Sequence, residues 1–121
     1  MVVLYSRRRA LVAFSGDVDV RDDACIDPES VQRAISPKTR AIIPVHLYGN
    51  YAHLPDFNIP ILDDSAQAIG GSPPRSYGKL SAISVYPTKT LGSAGSGGFL
   101  VGDDHDLIEA VRRLGRHCYC S

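Results

Sequence analysis

Apolar positions cluster in short runs, separated by polar, turn-rich segments along most of the chain. Near-continuous apolar runs are typical of strands that are buried on both faces of a parallel sheet. Apolar residues at helical spacing occur between and after these runs, so the order of the expected strands and helices predicts a layered α/β domain. The expected strands are 11–14, 41–47, 59–62, 82–86 and 98–101.

Two segments carry the signals of amphipathic helices. Asp27-Pro28-Glu29 combines an N-cap carboxylate, a proline at the first helical position and an acid in the first turn. That helix is expected to end at Ser36-Pro37, because the residue before a proline disfavours helical backbone. The last helix is expected to begin after Asp103-Asp104 and to end near Gly115. Its apolar stripe consists of Leu107, Ile108, Val111 and Leu114.

The connections between these elements carry turn residues. Pro44 lies inside the second apolar run, and because proline has no N–H, a bulge or a missing neighbour is expected there. Tyr48–Asn50 is expected to turn the chain, and residues 52–57 have room for about one or two helical turns. Ser65–Ile69 is predicted as a short helical turn that ends at Gly70-Gly71, with a loop over residues 72–79.

Length and composition bound the class of protein. The chain has 121 residues, of which 44% are hydrophobic and 21% charged, as in one ordinary globular domain. Its formal net charge of zero argues against a protein that binds nucleic acid or an anionic membrane. No apolar stretch is long enough for a transmembrane helix, and the start lacks the order of a signal peptide. Three cysteines without disulfide or zinc spacing indicate a reducing compartment, the cytoplasm.

Polar side chains occur at the carboxyl ends of two expected strands, where ligands collect in open parallel sheets. Asp64 and Gln67 follow the run 59–62, while Ser84 lies in the next run and Lys89 comes after it. A carboxylate and an amine at neighbouring strand ends could form a catalytic pair. The residues alone favour a simpler interpretation, in which Asp64 caps the following turn and Lys89 is a solvated loop lysine.

Glycines and histidines offer two further candidate sites. The run Gly92–Gly98 could hold a phosphate, but it lacks the Lys-Ser/Thr ending of a P-loop and leads into a strand, which favours a tight turn. His46 lies inside an apolar run and is interpreted as a hydrogen-bonded core histidine, not a metal ligand. The other histidines have no acidic or cysteine partners at ligand spacing, so no metal site is predicted.

Four motifs in a fixed order carry a resemblance to one enzyme family. The motifs are Pro44–Gly49, Leu62–Ala68, Ser84–Lys89, and Leu91-Gly92 with Gly95–Gly98. Together they resemble the DegT/DnrJ/StrS family of pyridoxal-phosphate-dependent sugar aminotransferases, which have the aspartate-aminotransferase fold. The resemblance implies a three-layer αβα fragment of the large, cofactor-binding domain with a mostly parallel sheet. It describes residues 1–121 as one partial large domain, with the small C-terminal domain absent.

The resemblance implies a role for each candidate residue. Lys89 matches the lysine that carries pyridoxal phosphate covalently and later moves a proton during the reaction. Asp64 matches the carboxylate that pairs with the pyridinium nitrogen of the cofactor. Gln67 matches the residue near the phenolic oxygen and face of the ring, and Ser84 matches a hydroxyl that donates to the cofactor phosphate.

Several positions depart from the family pattern. Asp63 stands where glutamate is usual, Ile69 where histidine is common, and Ser96 where aspartate is usual in the glycine turn. Family enzymes are much longer than this chain, which lacks the upstream phosphate-binding segment and the residues that reach into a partner's site. These departures imply a truncated or split enzyme with doubtful activity as an isolated chain.

By resemblance, the reaction moves an amino group from an amino acid to a keto-sugar nucleotide, as in amino-sugar and polysaccharide biosynthesis. The expected macromolecular partner is a second copy of the chain or a complementing polypeptide, with neither nucleic acid nor a membrane involved. One alternative is a catalytically inactive remnant that associates with itself or with another protein. Another is a half-enzyme completed by a separate polypeptide, and a third is a small nucleotide-binding module that uses the glycine run.

Overall fold

A computed structural model of the chain describes residues 2–6, 13–70 and 78–117. Parts of two expected elements, residues 11–12 of the first strand and 71–77 of the loop, lie outside the described residues, as do Cys118 and Cys120. The strands are β1 (Val2–Ser6), β2 (Ala13–Gly16), β3 (Thr39–Ile43), β4 (Leu62–Asp64), β5 (Leu80–Ser84) and β6 (Gly98–Val101). The helices are α1 (Pro28–Ala34) and α2 (His105–His117).

The strands form two three-stranded groups, β2-β1-β3 and β4-β5-β6, that meet at the centre. Parallel bridges pair Ile42 with Ile61 and Val45 with Asp64, which joins β3 to β4. The sheet is therefore parallel from β3 to β5, whereas β1 with its neighbours and the β5–β6 pair are antiparallel. The expectation of a mostly parallel sheet therefore holds only for this centre.

Strand β3 ends just before Pro44, whereas the sequence predicts a strand that continues to residue 47 with a bulge or a missing neighbour at the proline. The carbonyl oxygen of Pro44 accepts a hydrogen bond of 2.9 Å from the backbone N–H of Asp64, while the N–H of Ile42 donates to Pro60. The pairing between β3 and β4 continues on both sides of the proline, although β3 is shorter than the expected strand 41–47. The carboxyl ends of β3, β4 and β5 consequently lie side by side.

The expected helical turns over residues 52–57 are absent, and this prediction was wrong. Asn58 has a positive φ of 57°, and its N–H donates to the carboxylate of Asp56 at 2.7 Å. Such side-chain hydrogen bonds compete with helix formation, and Pro55 opposes it further. The segment instead packs its apolar side chains, those of Leu54, Phe57 and Ile59, against the core.

Both helices begin at the carboxylates that the sequence indicates. Asp27 accepts hydrogen bonds from the N–H groups of Glu29 and Ser30, and α1 ends at Ala34, slightly before the expected end at Ser36-Pro37. The carboxylate of Asp104 accepts from the N–H of Leu107 at 3.0 Å. Helix α2 continues through Gly115, where an end was expected, because one glycine costs a helix only about 1 kcal/mol.

The core lies between α1, β3 and the segment after the 47–50 turn. Its fully buried members are Cys25, Ile26, Val31, Ile42 and Ala52. Neither helix in the described part of the chain is long and apolar enough to cross a membrane.

Cys25 is expected to be unreactive while the chain is folded. Its side chain is 1% exposed, and burial raises the pKa of its thiol, with a further rise from Asp23 and an opposing effect of Arg21. Because the thiolate is the reactive form, iodoacetamide should label Cys25 more slowly in the native chain than in urea, on the order of tenfold or more. Peptide mapping by mass spectrometry follows Cys25 separately from the other cysteines, and equal rates would contradict its burial.

The same raised pKa sets the sign of a pH effect on stability. An unfolded thiol ionises near 9.0, whereas the folded thiol of Cys25 still holds its proton there. The contribution of this pKa difference to the free energy of unfolding is fully present below pH 9.0. It is lost as the pH rises through the pKa of the folded thiol.

Candidate functional site

The loops that follow β3, β4 and β5 converge on one open cavity at the carboxyl ends of the strands. Its volume is about 470 Å³, and its lining consists of Tyr48, Gln67, Thr88, Lys89 and Thr90. Tyr48 comes from the loop after β3, Gln67 from the loop after β4, and the other three from the loop after β5. The cavity therefore lies where ligands bind in open α/β sheets.

Two of the four predicted site residues, Lys89 and Gln67, line this cavity together. Lys89 is half-buried, and its backbone N–H donates to the carbonyl oxygen of Tyr86 at 2.8 Å, which closes the turn after β5. The Oε1 atom of Gln67 accepts a 3.2 Å hydrogen bond from the backbone N–H of Tyr48. An amine and a held carboxamide thus lie on the same cavity wall.

Asp64 and Ser84, the other two predicted residues, are not among the cavity-lining residues. The Oδ1 atom of Asp64 accepts a 3.1 Å hydrogen bond from the N–H of Ala66, so the carboxylate caps the following turn as the simpler interpretation expects. The hydroxyl of Ser84 accepts from the N–H of Tyr86 at 3.3 Å. Both contacts leave hydrogen-bonding capacity, since a carboxylate and a hydroxyl each accept more than one bond.

Strand alternation places Asp64 and Ser84 on one face of the sheet. The hydroxyl of Ser81 donates to Asp63 at 3.2 Å, so Ser81 and Asp63 share the opposite face. Because side chains alternate along a strand, Asp64 and Ser84 both point away from that pair. The carboxylates of Asp63 and Asp64 consequently point to opposite faces of the sheet.

Asp63 is the centre of a buried hydrogen-bond network behind the site. Its Oδ1 atom lies 3.1 Å from Nε2 of His46, and its Oδ2 atom accepts from Gly78 N–H at 3.0 Å and from Ser81. The Nδ1 atom of His46 accepts from the N–H of Ala52 at 3.1 Å, so the proton of a neutral ring is on Nε2. This confirms the interpretation of His46 as a hydrogen-bonded core histidine.

Tyr51 closes this network toward the turn after β4. Its ring lies 4.9 Å from the His46 ring between centroids, and its hydroxyl donates to the carbonyl oxygen of Ala68 at 2.9 Å. Burial raises the pKa of the Tyr51 phenol, and the negative charge of Asp63 raises it further. Tyr51 is therefore a neutral donor that holds the turn containing Gln67.

The glycine run forms the connection from β5 to β6. The N–H of Val85 donates to Gly97, and the N–H of Ser93 donates to Val85. A Cβ atom at Gly98 would lie 2.6 Å from the carbonyl oxygen of Ile83, and one at Gly92 would lie 2.7 Å from that of Pro87. The glycines allow this close backbone approach, as the tight-turn interpretation expects.

Three cavity residues were missed by the sequence reasoning, namely Tyr48, Thr88 and Thr90. The two threonines flank Lys89 directly, so their position in the chain was a usable signal. Tyr48 lies in the predicted turn 48–50, and its place in the cavity depends on how the loops after β3 and β4 meet.

A second cavity and a group of potential metal ligands would each be an alternative to this site. A larger cavity of about 640 Å³ lies among residues 54–56, 58–61 and 78–79, away from all four predicted site residues. Within residues 2–6, 13–70 and 78–117, no three His, Cys, Asp or Glu side chains are grouped so that they could hold a metal ion.

The arrangement of the motifs around the cavity agrees with a family-level match. A model of the DegT/DnrJ/EryC1/StrS aminotransferase family matches residues 9–120 of the chain. The chain belongs to this aminotransferase family. The family match includes every predicted site residue and all five residues that line the cavity.

Individual relatives of the DegT/DnrJ/EryC1/StrS family support the assignment. A dTDP-3-amino-3,4,6-trideoxy-alpha-D-glucose transaminase from Micromonospora megalomicea is 39% identical over 112 residues, covering 80% of this chain and 29% of the relative. A UDP-N-acetyl-3-dehydro-alpha-D-glucosamine 3-aminotransferase from Acidithiobacillus ferrooxidans is 40% identical over 98 residues, covering 72% of this chain and 27% of the relative. The chain thus spans under a third of the length of these curated relatives.

A solved structure confirms the expected fold class. NtdA from Bacillus subtilis, crystallised with bound cofactor PMP, superposes with a TM-score of 0.67 at 30% identity. The match covers 75% of this chain and 23% of that protein. The chain is an α/β fragment of the aspartate-aminotransferase-like fold, with the mixed sheet described above.

Proposed function

We propose that this chain is part of a pyridoxal-phosphate-dependent aminotransferase that acts on keto-sugar nucleotides. The observation that carries the proposal is the shared cavity of Lys89 and Gln67 at the carboxyl ends of three neighbouring strands. The matched segment is one partial large domain, so turnover is proposed for it only together with the rest of the family fold. Three cysteines without disulfide or zinc spacing favour a reducing compartment, the cytoplasm, as its location.

The cavity residues fit pyridoxal phosphate. A volume of about 470 Å³ is within the range of small-molecule sites. The lining offers one amine, one carboxamide and three hydroxyls, and it includes no carboxylate. An anionic ligand with a carbonyl group is compatible with this donor set, since the amine can bind the carbonyl carbon and the other groups can donate to its oxygens.

Each residue of the chain has a separate task in the proposed reaction. The cofactor, when bound, supplies an electron sink that stabilises negative charge on the substrate carbon. Lys89 would hold the cofactor through Nζ and, once the substrate amine has taken its place, would carry a proton at that atom between the substrate carbon and the carbonyl-derived carbon of the cofactor. Asp64, held by Ala66 through one oxygen, would keep its second oxygen for the ring nitrogen. Ser84 lies on the same sheet face and would donate to the phosphate.

Covalent trapping tests the proposal. The purified chain is incubated with pyridoxal phosphate, reduced with borohydride and mapped by mass spectrometry. The lysines of the chain are Lys38, Lys79 and Lys89, so each can be followed separately. We expect one adduct per chain, confined to Lys89, because Lys89 alone lies in the cavity while Lys38 and Lys79 are exposed.

Lys89→Ala is expected to abolish the adduct, and Lys79→Ala is the matched control that should leave it in place. Labelling spread evenly over the three lysines would contradict a formed cofactor site. For the whole activity, glutamate-dependent amination should appear only when the segment is present together with the remainder of the family fold.

A second candidate function, self-association without catalysis, is favoured by strand β6. Its side chains Phe99, Leu100 and Val101 are 46%, 40% and 47% exposed, which is high for large apolar residues in a strand. Among the described residues β6 pairs with β5 alone, so its other edge is open to another strand.

Sedimentation velocity tests this second function. If β6 mediates association, the chain should sediment as a dimer or larger species, and Leu100→Lys should shift it to the monomer by placing a charge on the edge strand. Val20→Lys, at an exposed apolar position outside the β4–β6 group, is the control. A wild-type chain that stays monomeric at high concentration would contradict self-association.

A further inference from the structure

The turn at residues 47–50 has a backbone that tyrosine rarely adopts. The N–H of Asn50 donates to the carbonyl oxygen of Leu47 at 2.9 Å, which closes the turn. Tyr48 has φ 56° and ψ 20°, and Gly49 has φ 85°. Positive φ at both central residues defines a type I′ turn, for which Asn-Gly is the favoured pair. Glycine at the second position fits this geometry, whereas a bulky residue at the first does not.

The left-handed backbone of Tyr48 directs its N–H to the side chain of Gln67. That hydrogen bond, 3.2 Å long, ends on the Oε1 atom. A carboxamide has one acceptor oxygen and one NH2 group with two donors. Because the oxygen is held by Tyr48, the group that Gln67 can present to the cavity is its NH2.

Tyr48 itself lines the same cavity. The residue is 77% exposed, although it lines the cavity beside Gln67 and Lys89. An exposed aromatic ring on a strained turn does not stabilise a core. Strained backbone of this kind concentrates at ligand-binding positions, where the surrounding structure holds it.

We propose that Tyr48 is both a positioning and a ligand-contacting residue of the cavity. Its N–H fixes the Gln67 carboxamide so that only donors face the ligand, and its ring is the wall against which the ring of the ligand packs. The site then selects a planar ring with an acceptor oxygen at the position of Gln67. The identity of that ring as pyridoxal phosphate rests on the proposed function, but the positioning of Gln67 does not.

NMR of the ligand-free chain tests the positioning role. The side-chain NH2 resonances of Gln67 are assigned by their loss in Gln67→Glu. In the wild type and in Tyr48→Asn we expect both resonances to be motionally restricted and shifted from those of a free glutamine, because asparagine keeps the turn and its N–H. Gly49→Val should average them toward those of a free glutamine, since valine opposes positive φ. A mobile Gln67 amide in the wild type, or one unaffected by Gly49→Val, would overturn the positioning role.

Measuring the affinity for pyridoxal phosphate tests the proposed contact between the ring of Tyr48 and the ring of the ligand. Tyr48→Asn should weaken binding, measured from the absorbance of the Lys89 adduct, by roughly 2- to 10-fold, the range expected for loss of one aromatic contact. Tyr48→Phe restores the ring and should bind more tightly than Tyr48→Asn. Val20→Asn replaces an exposed apolar residue elsewhere and serves as the control. Equal affinity of Tyr48→Asn and wild type would overturn the ring contact.

The NMR experiment and the binding experiment together distinguish a failure of this inference from a failure of the proposed function. A wild-type chain that forms no Lys89 adduct contradicts the proposed function and the ring contact with pyridoxal phosphate. The NMR comparison still decides whether Tyr48 positions Gln67. A normal adduct combined with unchanged binding in Tyr48→Asn would instead leave the proposed function standing and remove the ring contact alone.

Discussion

Asp63→Asn is expected to destabilise the chain by about 3 kcal/mol, the cost of leaving buried hydrogen-bonding groups unsatisfied around a lost charge. Asp63 is 3% exposed and His46 is 2% exposed, so water cannot replace the missing partners. The two side chains have nearly the same shape, and the loss therefore reports hydrogen bonding, not packing.

The direction of the hydrogen bonds explains why asparagine cannot substitute. His46 donates from Nε2 because Ala52 N–H occupies Nδ1, and Gly78 N–H donates from the other side. Asparagine has one acceptor atom where aspartate has two, so its NH2 must face either the His46 or the Gly78 donor. The Ser81 hydroxyl can rotate, but these two N–H groups cannot.

Urea unfolding followed by far-UV circular dichroism measures the change. Asp103→Ala removes an exposed carboxylate and should shift the free energy of unfolding by less than about 0.5 kcal/mol. A loss from Asp63→Asn no larger than that of the control would show that the network is solvated or differently arranged.

Gly78→Ala should have an effect of similar or greater size, on the order of 3 to 5 kcal/mol. A Cβ atom there would lie 2.3 Å from the carbonyl oxygen of Ile61 and 2.8 Å from Oδ2 of Asp63. The Ile61 carbonyl oxygen is a backbone atom of the segment that leads into β4, so rotation of a side chain cannot remove this clash. The start of β5 would have to move away from β4, which also breaks the hydrogen bond from Gly78 to Asp63.

Gly95→Ala is the matched control for this prediction. A Cβ atom at Gly95 meets nothing within 4 Å among the described residues. The thermal midpoint of Gly95→Ala should stay within a few degrees of the wild type, because small surface substitutions change stability by about 0.5 kcal/mol or less. Equal midpoints for the two variants would contradict the close contact of Gly78 with Ile61.

Short sequence patterns correctly predicted the start or the bounds of those helices and strands that depend on one or two neighbouring residues. Helix α1 begins at Asp27 and β6 spans residues 98–101 as expected, because a cap and a bounded apolar run act within a few residues. The prediction of helical turns at 52–57 failed because Leu54 and Phe57 pack against the core from an irregular segment, and that packing depends on residues distant in the chain. Similarly, Gly115 did not end α2.

Sequence alone was sufficient for the family, the fold class and the choice of Lys89, Asp64, Gln67 and Ser84 as candidates, since motif order and residue chemistry are properties of the chain itself. Only the tertiary structure decided which of these residues share a cavity. Lys89 and Gln67 meet because parallel β3, β4 and β5 end at one edge, and Asp64 and Asp63 point to opposite faces because side chains alternate. The roles of Tyr48 and of the His46–Asp63 pair also depend on contacts between segments far apart in the chain, which no local pattern encodes.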